Sequence, residues 1–188
     1  PLNRAVAQAH YPNSVESFEE ARRRLAFDEL LVLQLAIAST RERAADAPSG
    51  IPLPAMPEPV RAFLRSLPFE LTDGQRRALS DATADVSEAK RPMSRLLQGE
   101  VGSGKTVVAL SALLSAATAG YQGAMMVPTE VLAEQHFLSI GNLLSGLARP
   151  VQEPHLLSVY LEHMDRPVSI GLLTGSSRAP VRRELTQM

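Results

Sequence analysis

The chain has 188 residues, of which 45% are apolar, 4% aromatic and 21% charged, and its formal net charge is −1 at pH 7. This composition allows one α/β domain plus an appendage, and it excludes a basic nucleic-acid-binding field over the whole molecule, although a local basic strip stays possible. The absence of cysteine excludes disulfides and cysteine metal sites. No apolar run is long enough to cross a bilayer and the N-terminus lacks a secretory pattern, so we expect a cytoplasmic protein.

A long helix followed by a linker is predicted for residues 1–59. The sequence Ser17-x-x-Glu20 is a capping box, which predicts a helix to about Ala45. The second half of this helix is apolar on most sides, so we expect it to pack against other protein. Residues 46–59 contain five prolines and predict a stiff, extended linker. Because the chain opens with Pro1 and stops inside a predicted helix, we expect a fragment of a larger protein.

Residues 60–188 alternate between helical and strand patterns. Short helices are predicted at 61–67 and 180–188, a capping box at Thr72-x-x-Gln75 predicts a helix to about Val86, and Thr129 is predicted to cap another helix. Strands are predicted at 93–98, 123–127 and 168–173, whereas the weaker pattern of 146–165 favours a loop with a short helix. Strands alternating with helices predict βαβ units and a parallel sheet.

Residues 99–106 read G-E-V-G-S-G-K-T, which matches the phosphate-binding loop pattern G-x-x-x-x-G-K-[ST]. Glycine tolerates positive φ and has no Cβ, so the backbone can curve around a phosphate and direct several N–H groups at it. Lys105 supplies a mobile cation for the β- and γ-phosphates, and the Thr106 hydroxyl is placed to ligate Mg²⁺. The other candidate cofactor-binding residues of the loop are Gly99, Gly102, Ser103 and Gly104. The alternative is an ordinary glycine-rich turn with an exposed lysine and threonine.

The segments on either side of the loop favour the phosphate-binding interpretation. The predicted strand 93–98 runs into the loop, and the Ala- and Leu-rich residues 107–117 predict a helix that Gly120 ends. A helix N-terminus adds its dipole and its unpaired N–H groups to an anion site. The sequence therefore indicates a nucleotide-triphosphate-binding domain.

Phe69 and Gln75, which both precede the phosphate-binding loop, are candidates for contact with the base of a bound nucleotide. An amide side chain such as that of Gln75 can both donate and accept hydrogen bonds, which suits the edge of adenine, and Phe69 could stack on the ring. The alternative is that Gln75 completes a helix cap and that Phe69 belongs to the core.

Three residues at strand ends are candidates for contact with DNA phosphates. Thr129 follows a predicted buried strand and could offer a hydroxyl and a helix N-terminal N–H group to a phosphate, or it could be a plain helix cap. Ser176 and Arg178 lie in the turn 174–178, where small hydroxyls and a guanidinium suit phosphate contacts, although a solvated turn explains them equally well.

The acids needed for hydrolysis are not recognisable. Hydrolysis needs an acidic pair, at the end of another buried strand, that holds Mg²⁺ and orients water. The acids after Lys105 are Glu130, Glu134, Glu153, Glu162, Asp165 and Glu184, and none follows an apolar strand as an Asp-Glu pair. We therefore expect this chain alone to hold phosphates weakly and to turn over NTP inefficiently. His136 and His155 lack partners at metal-ligand spacing and are predicted to be structural or exposed.

Several segments resemble the RecG branch of the superfamily-two helicases. Residues 69–75, F-E-L-T-D-G-Q, resemble the Q motif, residues 95–106 resemble motif I, and residues 126–136, M-V-P-T-E-V-L-A-E-Q-H, are similar to motif Ia. Residues 21–31 resemble the helix that joins the wedge domain of this branch to its motor. Motif I alone is specific only for NTPases, whereas the string from motif I to motif Ia with the leading helix points to this branch.

The resemblance implies a RecA-like P-loop NTPase fold with a parallel sheet that the chain contains in part, preceded by a long helix and a Pro-rich linker. It implies an ATP- and Mg²⁺-dependent helicase that remodels stalled forks and Holliday junctions in recombination and repair, with branched or duplex DNA as its partner. It places Phe69 and Gln75 near adenine, the loop residues at the phosphates and Mg²⁺, and Thr129 on the DNA backbone. The Asp-Glu box, second motor domain and wedge of this branch are absent, and 144–166 is longer than the usual connection, which leaves the role of 174–178 open.

Three other functions are compatible with parts of the sequence. The motor of a transcription-repair coupling translocase is closely similar, although its leading helix and Q-motif region fit less well. A non-catalytic module could dock a partner through the apolar residues 27–37. A small nucleotide kinase also carries a phosphate-binding loop, but the lid arginines and acceptor site that it needs are not recognisable here.

Overall fold

The structure is a computed structural model that describes residues 1–45, 50–88, 92–147, 151–162 and 164–187. The chain forms two compact units, Pro1–Pro48 and Ser49–Met188. Residues 50–57 contain no helix or strand, as predicted for the Pro-rich linker, and 46–49 of that linker lie outside the described residues. Within the second unit, the N–H of Leu53 donates to the carbonyl of Val86 at 2.9 Å, which ties this stretch to the helix that contains Val86.

The first unit is a pair of helices, α1 (Leu2–His10) and α2 (Val15–Ala45), that pack on each other. No prediction covers α1, and its signal is the helical spacing of Leu2, Ala5 and Ala9. Ala5 is buried, and a side chain without further carbons lets two helices approach closely.

The predicted long helix is confirmed, but its cap is not the one predicted. The N–H of Ser17 donates to Oγ of Ser14 at 3.2 Å, and the N–H of Ser14 donates to Oγ of Ser17 at 3.0 Å. This reciprocal pair satisfies two donors at the start of α2, so the helix begins at Val15 and the Ser17-x-x-Glu20 box lies inside it.

The middle of α2 exposes an apolar surface, which we call the α2 apolar surface. Its large side chains are between 37% and 68% exposed in the described structure. They are Phe27, Leu30, Leu31, Val32, Leu33, Leu35 and Ile37. Because the apolar residues surround the helix instead of forming one stripe, α1 cannot cover them, and their packing against other protein stays a prediction.

The second unit contains five helices in its described part. They are α3 (Glu58–Ser66), α4 (Asp73–Glu88), α5 (Lys105–Thr118), α6 (Glu130–Leu144) and α7 (Ala179–Gln187). Each corresponds to a helix predicted from the sequence, with ends that differ by a few residues; Met188 of the predicted last helix lies outside the described residues. Gly120 ends α5 with φ of 86°, and its N–H donates to the carbonyl of Ala117 at 3.0 Å, which confirms the predicted helix stop.

The sheet differs from the predicted parallel sheet. Its strands are β1 (Val151–Gln152), β2 (Leu156–Val159) and β3 (Val168–Gly171), in the order β1-β2-β3, and both pairs are antiparallel. The prediction of a strand at 168–173 is confirmed, but the prediction of a loop with a short helix at 146–165 is wrong, because β1 and β2 lie there. The connection from β2 to β3 is too short for the crossover that parallel strands require, so these strands pair as a hairpin.

The other two predicted strands, 93–98 and 123–127, are not strands in the structure. A strand exists only where a neighbour completes its ladder of hydrogen bonds, and the described residues supply none for these two segments. Leu96 and Met126 are correspondingly 91% and 94% exposed. The first segment is held by a side chain instead, since Arg95 donates to Asp85 of α4 at 2.5 and 3.0 Å.

The core of the second unit lies between α3, α5, α6 and the sheet. Its buried side chains are almost all aliphatic, as the low aromatic content predicts. They are Val60, Phe63, Leu67, Val107, Leu110, Leu114, Phe137, Ile140, Leu144, Leu157, Val159, Leu161 and Val168. Two buried hydroxyls on α5 are satisfied, since Ser111 and Ser115 donate to carbonyls one turn earlier at 2.8 and 2.9 Å. This packing fixes the N-terminus of α5, which follows the phosphate-binding loop.

The start of α3 carries an ion cluster with a testable pH dependence. Arg65 and Arg61 donate to the Glu58 carboxylate at 2.6 and 2.8 Å, and these hydrogen bonds lower the pKa of Glu58 from 4.5 to about 2. A carboxyl whose pKa is lower in the folded state stabilises the fold above its unfolded pKa, and this stabilisation is lost as the pH falls towards the folded pKa. Glu58→Gln should therefore lower the melting temperature at pH 7, and the difference from wild type should shrink between about pH 4.5 and pH 2.

Thermal denaturation followed by circular dichroism across this pH range measures the difference. Glu70→Gln, which changes an exposed carboxyl before α4, is the matched control and should show no comparable pH dependence. A Glu58→Gln difference that is the same at every pH would contradict the ion cluster.

Candidate nucleotide-binding site and phosphate-contacting loops

The phosphate-binding loop bends at glycines. Gly102 and Gly104 have φ of 82° and 80°, in the left-handed region that side chains other than glycine rarely adopt. A Cβ on Gly99 would lie 2.7 Å from Oγ of Ser103, so a side chain at this position would force the Ser103 hydroxyl to move. The sequence prediction that these glycines shape the backbone is therefore confirmed at the level of conformation.

Lys105 lies at the junction of the loop and α5. It is the first residue of α5, and its ammonium donates to the carbonyls of Gly99 and Glu100, both at 2.7 Å. The cation is thus held inside the curve of its own loop by neutral carbonyl acceptors. An anion can replace them because two opposite full charges attract each other more strongly than a charge attracts a neutral carbonyl. Thr106 follows in the first turn of α5 and is half-buried. The dipole of α5 adds partial positive charge at the same place.

Gln75 connects the start of α4 to this loop. Its Oε1 accepts from the N–H of Thr72 at 2.8 Å, and the N–H of Gln75 donates to Oγ1 of Thr72 at 3.3 Å, which confirms the predicted capping box. The same amide donates from Nε2 to the carbonyl of Ser103 at 3.0 Å. A Cβ on Gly104 would lie 2.2 Å from that Nε2, so the approach depends on glycine. Phe69 is 44% exposed and does not belong to the core; the contacts of both residues with adenine stay predictions.

Sequence reasoning missed the tie between Gln75 and the loop. The capping pattern predicts only the hydrogen bond that Oε1 of Gln75 accepts. The hydrogen bond from Nε2 to the carbonyl of Ser103, which lies 28 residues away, forms only in the folded chain. The sequence signal for this contact is a glutamine that precedes a phosphate-binding loop, together with a glycine, Gly104, at the loop position next to the amide.

The candidate DNA-contacting residues lie in two loops, and a hydrogen-bonded contact between Glu130 and Ser176 brings these loops together. Thr129 is the N-cap of α6, and its Oγ1 accepts from the N–H of Leu132 at 3.3 Å. Glu130, the next residue, accepts from the N–H and Oγ of Ser176 at 3.0 and 2.9 Å. Arg178 is exposed after the turn. Glu130 is a residue that the sequence reasoning did not single out, and only the fold brings it to Ser176.

Across the described ranges, no group of three or more His, Cys, Asp or Glu residues is placed to hold a metal ion. Nε2 of His155 lies 3.3 Å from the carboxylate of Glu184 on α7, a contact that the sequence did not predict. Mg²⁺ prefers oxygen ligands, and the Thr106 hydroxyl would supply one of them if a polyphosphate were bound at the loop. No helix in the described part is both long enough and apolar enough to span a bilayer.

A glycine-bent loop that delivers a lysine to the N-terminus of a buried helix defines a nucleotide-phosphate-binding domain. The DEAD/DEAH box helicase family matches residues 72–166, which is about half of the chain, and the chain belongs to this family. Membership implies a RecA-like fold, although the parallel sheet of that fold is not present among the described residues.

The chain is similar to curated proteins named ATP-dependent DNA helicase RecG. It is 42% identical to the protein of Bacillus subtilis over 97% of this chain, 42% identical to that of Mycobacterium tuberculosis over 98%, and 48% identical to that of Thermotoga maritima over 68%. These alignments cover 24%, 24% and 16% of the respective relatives, so the chain spans about a quarter of their length or less. The resemblance to the RecG branch is therefore confirmed. No solved structure matches the chain significantly.

The two left-handed glycines of the loop give a matched pair of variants. An L-residue in this region costs about 1–2 kcal/mol, so Gly102→Ala and Gly104→Ala should both lower the free energy of unfolding by roughly this amount. Gly104→Ala should lower it further because its Cβ would displace the Gln75 amide, whereas a Cβ on Gly102 meets nothing within 4 Å. Urea denaturation of both variants measures the difference. Equal losses would show that the contact between Gln75 and the loop adds no stability.

Proposed function

We propose that the chain is part of an ATP-dependent DNA helicase of the RecG type. Residues 60–188 would be the N-terminal part of its first motor domain, and residues 1–59 would be the linking helix and linker from the wedge side. The observation that carries the proposal is the ammonium of Lys105 inside the glycine-bent loop, at 2.7 Å from two carbonyls that a phosphate can replace.

ATP with Mg²⁺ is the proposed cofactor, and it would supply the free energy of phosphoryl transfer when bound. Lys105 would hold the β- and γ-phosphates, Thr106 would offer its hydroxyl to the metal, and the backbone at Gly99, Gly102, Ser103 and Gly104 would surround the phosphates. The hydrogen bond between Gln75 and Ser103 supports a role for Gln75 in connecting the part of the site that binds the base to the phosphate-binding loop. Phe69 is exposed enough to stack on adenine.

DNA is the proposed partner, and branched DNA such as a stalled fork or a Holliday junction is the proposed substrate of the whole protein. Thr129 at the start of α6 and Arg178 after the 174–177 turn would contact phosphates, which position a protein on DNA without reading sequence. A helicase that acts on chromosomal DNA would work in the cytoplasm, where a chain without cysteine needs no disulfides.

A docking module is the second candidate, and the α2 apolar surface favours it. Seven large apolar side chains exposed on one helix exceed what an isolated surface usually shows, so another protein surface would cover them. The two functions are compatible, since the same surface could contact the rest of a helicase. The motor of a transcription-repair coupling translocase stays as an alternative within the motors.

Loss of the Lys105 ammonium tests the nucleotide site. Lys105→Ala should weaken the binding of a fluorescent ATP analogue with Mg²⁺ by roughly 10- to 100-fold, because a charge-assisted hydrogen bond to phosphate is removed. Arg183→Ala, which removes a positive charge from the exposed side of α7, is the control and should leave affinity unchanged. Equal affinity of wild type and Lys105→Ala would sink the motor proposal and favour the docking module.

Steady-state hydrolysis by the 188-residue chain tests the expectation of weak turnover. We expect a rate close to background, because an acidic pair for water activation is not recognisable in the sequence. Robust hydrolysis that Lys105→Ala abolishes would contradict this expectation while supporting the nucleotide site.

A further inference from the structure

Glu130 makes the contact that joins the two candidate DNA-contacting loops. Glu130 is the first residue of α6. Its carboxylate accepts hydrogen bonds from both the N–H and the hydroxyl of Ser176, which lies 46 residues further along the chain. The N–H of Ser176 lies 3.0 Å from one carboxylate oxygen, and Oγ lies 2.9 Å from the other. A two-point contact of this kind fixes orientation as well as distance, because both oxygens of one carboxylate are used.

The turn 174–177 is closed by hydrogen bonds of its own. The N–H of Thr174 donates to Oγ of Ser177 at 2.9 Å, and the N–H of Ser177 donates to the carbonyl of Thr174 at 3.2 Å. The turn is therefore a preformed unit, and Glu130 is the side chain that links it to α6. A Cβ on Gly175 would lie 2.8 Å from Oε1 of Glu130, so glycine at this position lets the carboxylate approach.

The contact changes the role that the sequence suggested for Ser176. Because its N–H and hydroxyl are both donated to Glu130, Ser176 has no donor left for a phosphate while the contact is made. Glu130 itself is a negative charge beside surfaces proposed to bind DNA phosphates, and its electrostatic effect there is repulsive. A carboxylate at this place is consistent with DNA binding only if its structural contribution exceeds that repulsion.

We propose that Glu130 is a positioning residue that holds the 174–177 turn against the start of α6, so that Thr129 and Arg178 are kept in one arrangement for the DNA backbone. The inference rests on the proposed function, because it assigns DNA phosphates to these loops. Ser176 is then the partner of Glu130 and not itself a DNA contact.

The sign of a DNA-binding change distinguishes positioning from simple charge. Glu130→Asp keeps the charge and an acid in the first turn of α6, but its side chain is too short to reach Ser176. Glu130→Asp and Glu130→Ala should both weaken the binding of a fluorescently labelled DNA duplex by roughly threefold to tenfold, measured by anisotropy at fixed salt. Glu134→Ala, which removes an exposed acid one turn further along α6, is the control and should leave binding unchanged or slightly tighter.

Tighter binding by Glu130→Ala, with no change in Glu130→Asp, would overturn the proposal, since it would reduce Glu130 to a repulsive charge. Wild-type chain that does not bind duplex DNA would overturn the assignment of DNA phosphates to these two loops, and with it the role of Glu130 in DNA binding.

Amide hydrogen exchange tests the contact without DNA. The Ser176 amide should exchange roughly tenfold faster in Glu130→Asp and in Gly175→Ala than in wild type, because each variant removes its acceptor or displaces it. Unchanged exchange at Ser176 in both variants would overturn the contact itself, whatever the chain does with DNA. Faster exchange together with unchanged DNA affinity would confirm the contact and overturn its positioning role.

Discussion

The rest of the candidate site depends on one constraint, which is that the ammonium of Lys105 must lie inside a loop that only glycine can form. Gly102 and Gly104 occupy the left-handed region, and α5 begins immediately after them. α5 packs against α3 and α4, and its buried face belongs to the aliphatic core, so the position of its N-terminus is set by that core and not by the loop. A short sequence motif forms a phosphate-binding geometry when a bent loop is followed directly by a rigidly packed helix.

The Gln75 side chain extends this constraint to a second segment. Its amide completes the cap of α4 with one end and contacts the loop at Ser103 with the other. A movement of the loop would therefore disturb the start of α4, and a movement of the start of α4 would disturb the loop. The same principle recurs at the other proposed surface, where Glu130 holds the 174–177 turn. In both places, a polar side chain at the first turn of a helix fixes a loop that is distant in sequence.

Membership in the DEAD/DEAH box helicase family and likeness to RecG agree with these features. The described sheet, however, is a small antiparallel one, and among the described residues the segments before the phosphate loop and before Thr129 have no strand partners. Their apolar side chains are exposed, with Leu96 and Met126 above 90%. The large side chains of the α2 apolar surface are exposed as well. The chain covers about a quarter of the length of its relatives.

The sequence by itself determined the helices of the second unit and the left-handed conformation of Gly102 and Gly104, because caps, helical periodicity and the steric freedom of glycine act over a few neighbouring residues. It could not determine the sheet, since a strand depends on a partner that local pattern does not reveal, so 93–98 and 123–127 were expected as strands while Leu157 and Val159 were not. Only the tertiary structure brought Gln75 to Ser103 and Glu130 to Ser176. Contacts across 28 and 46 residues are decided by how the core packs, which no local spacing specifies.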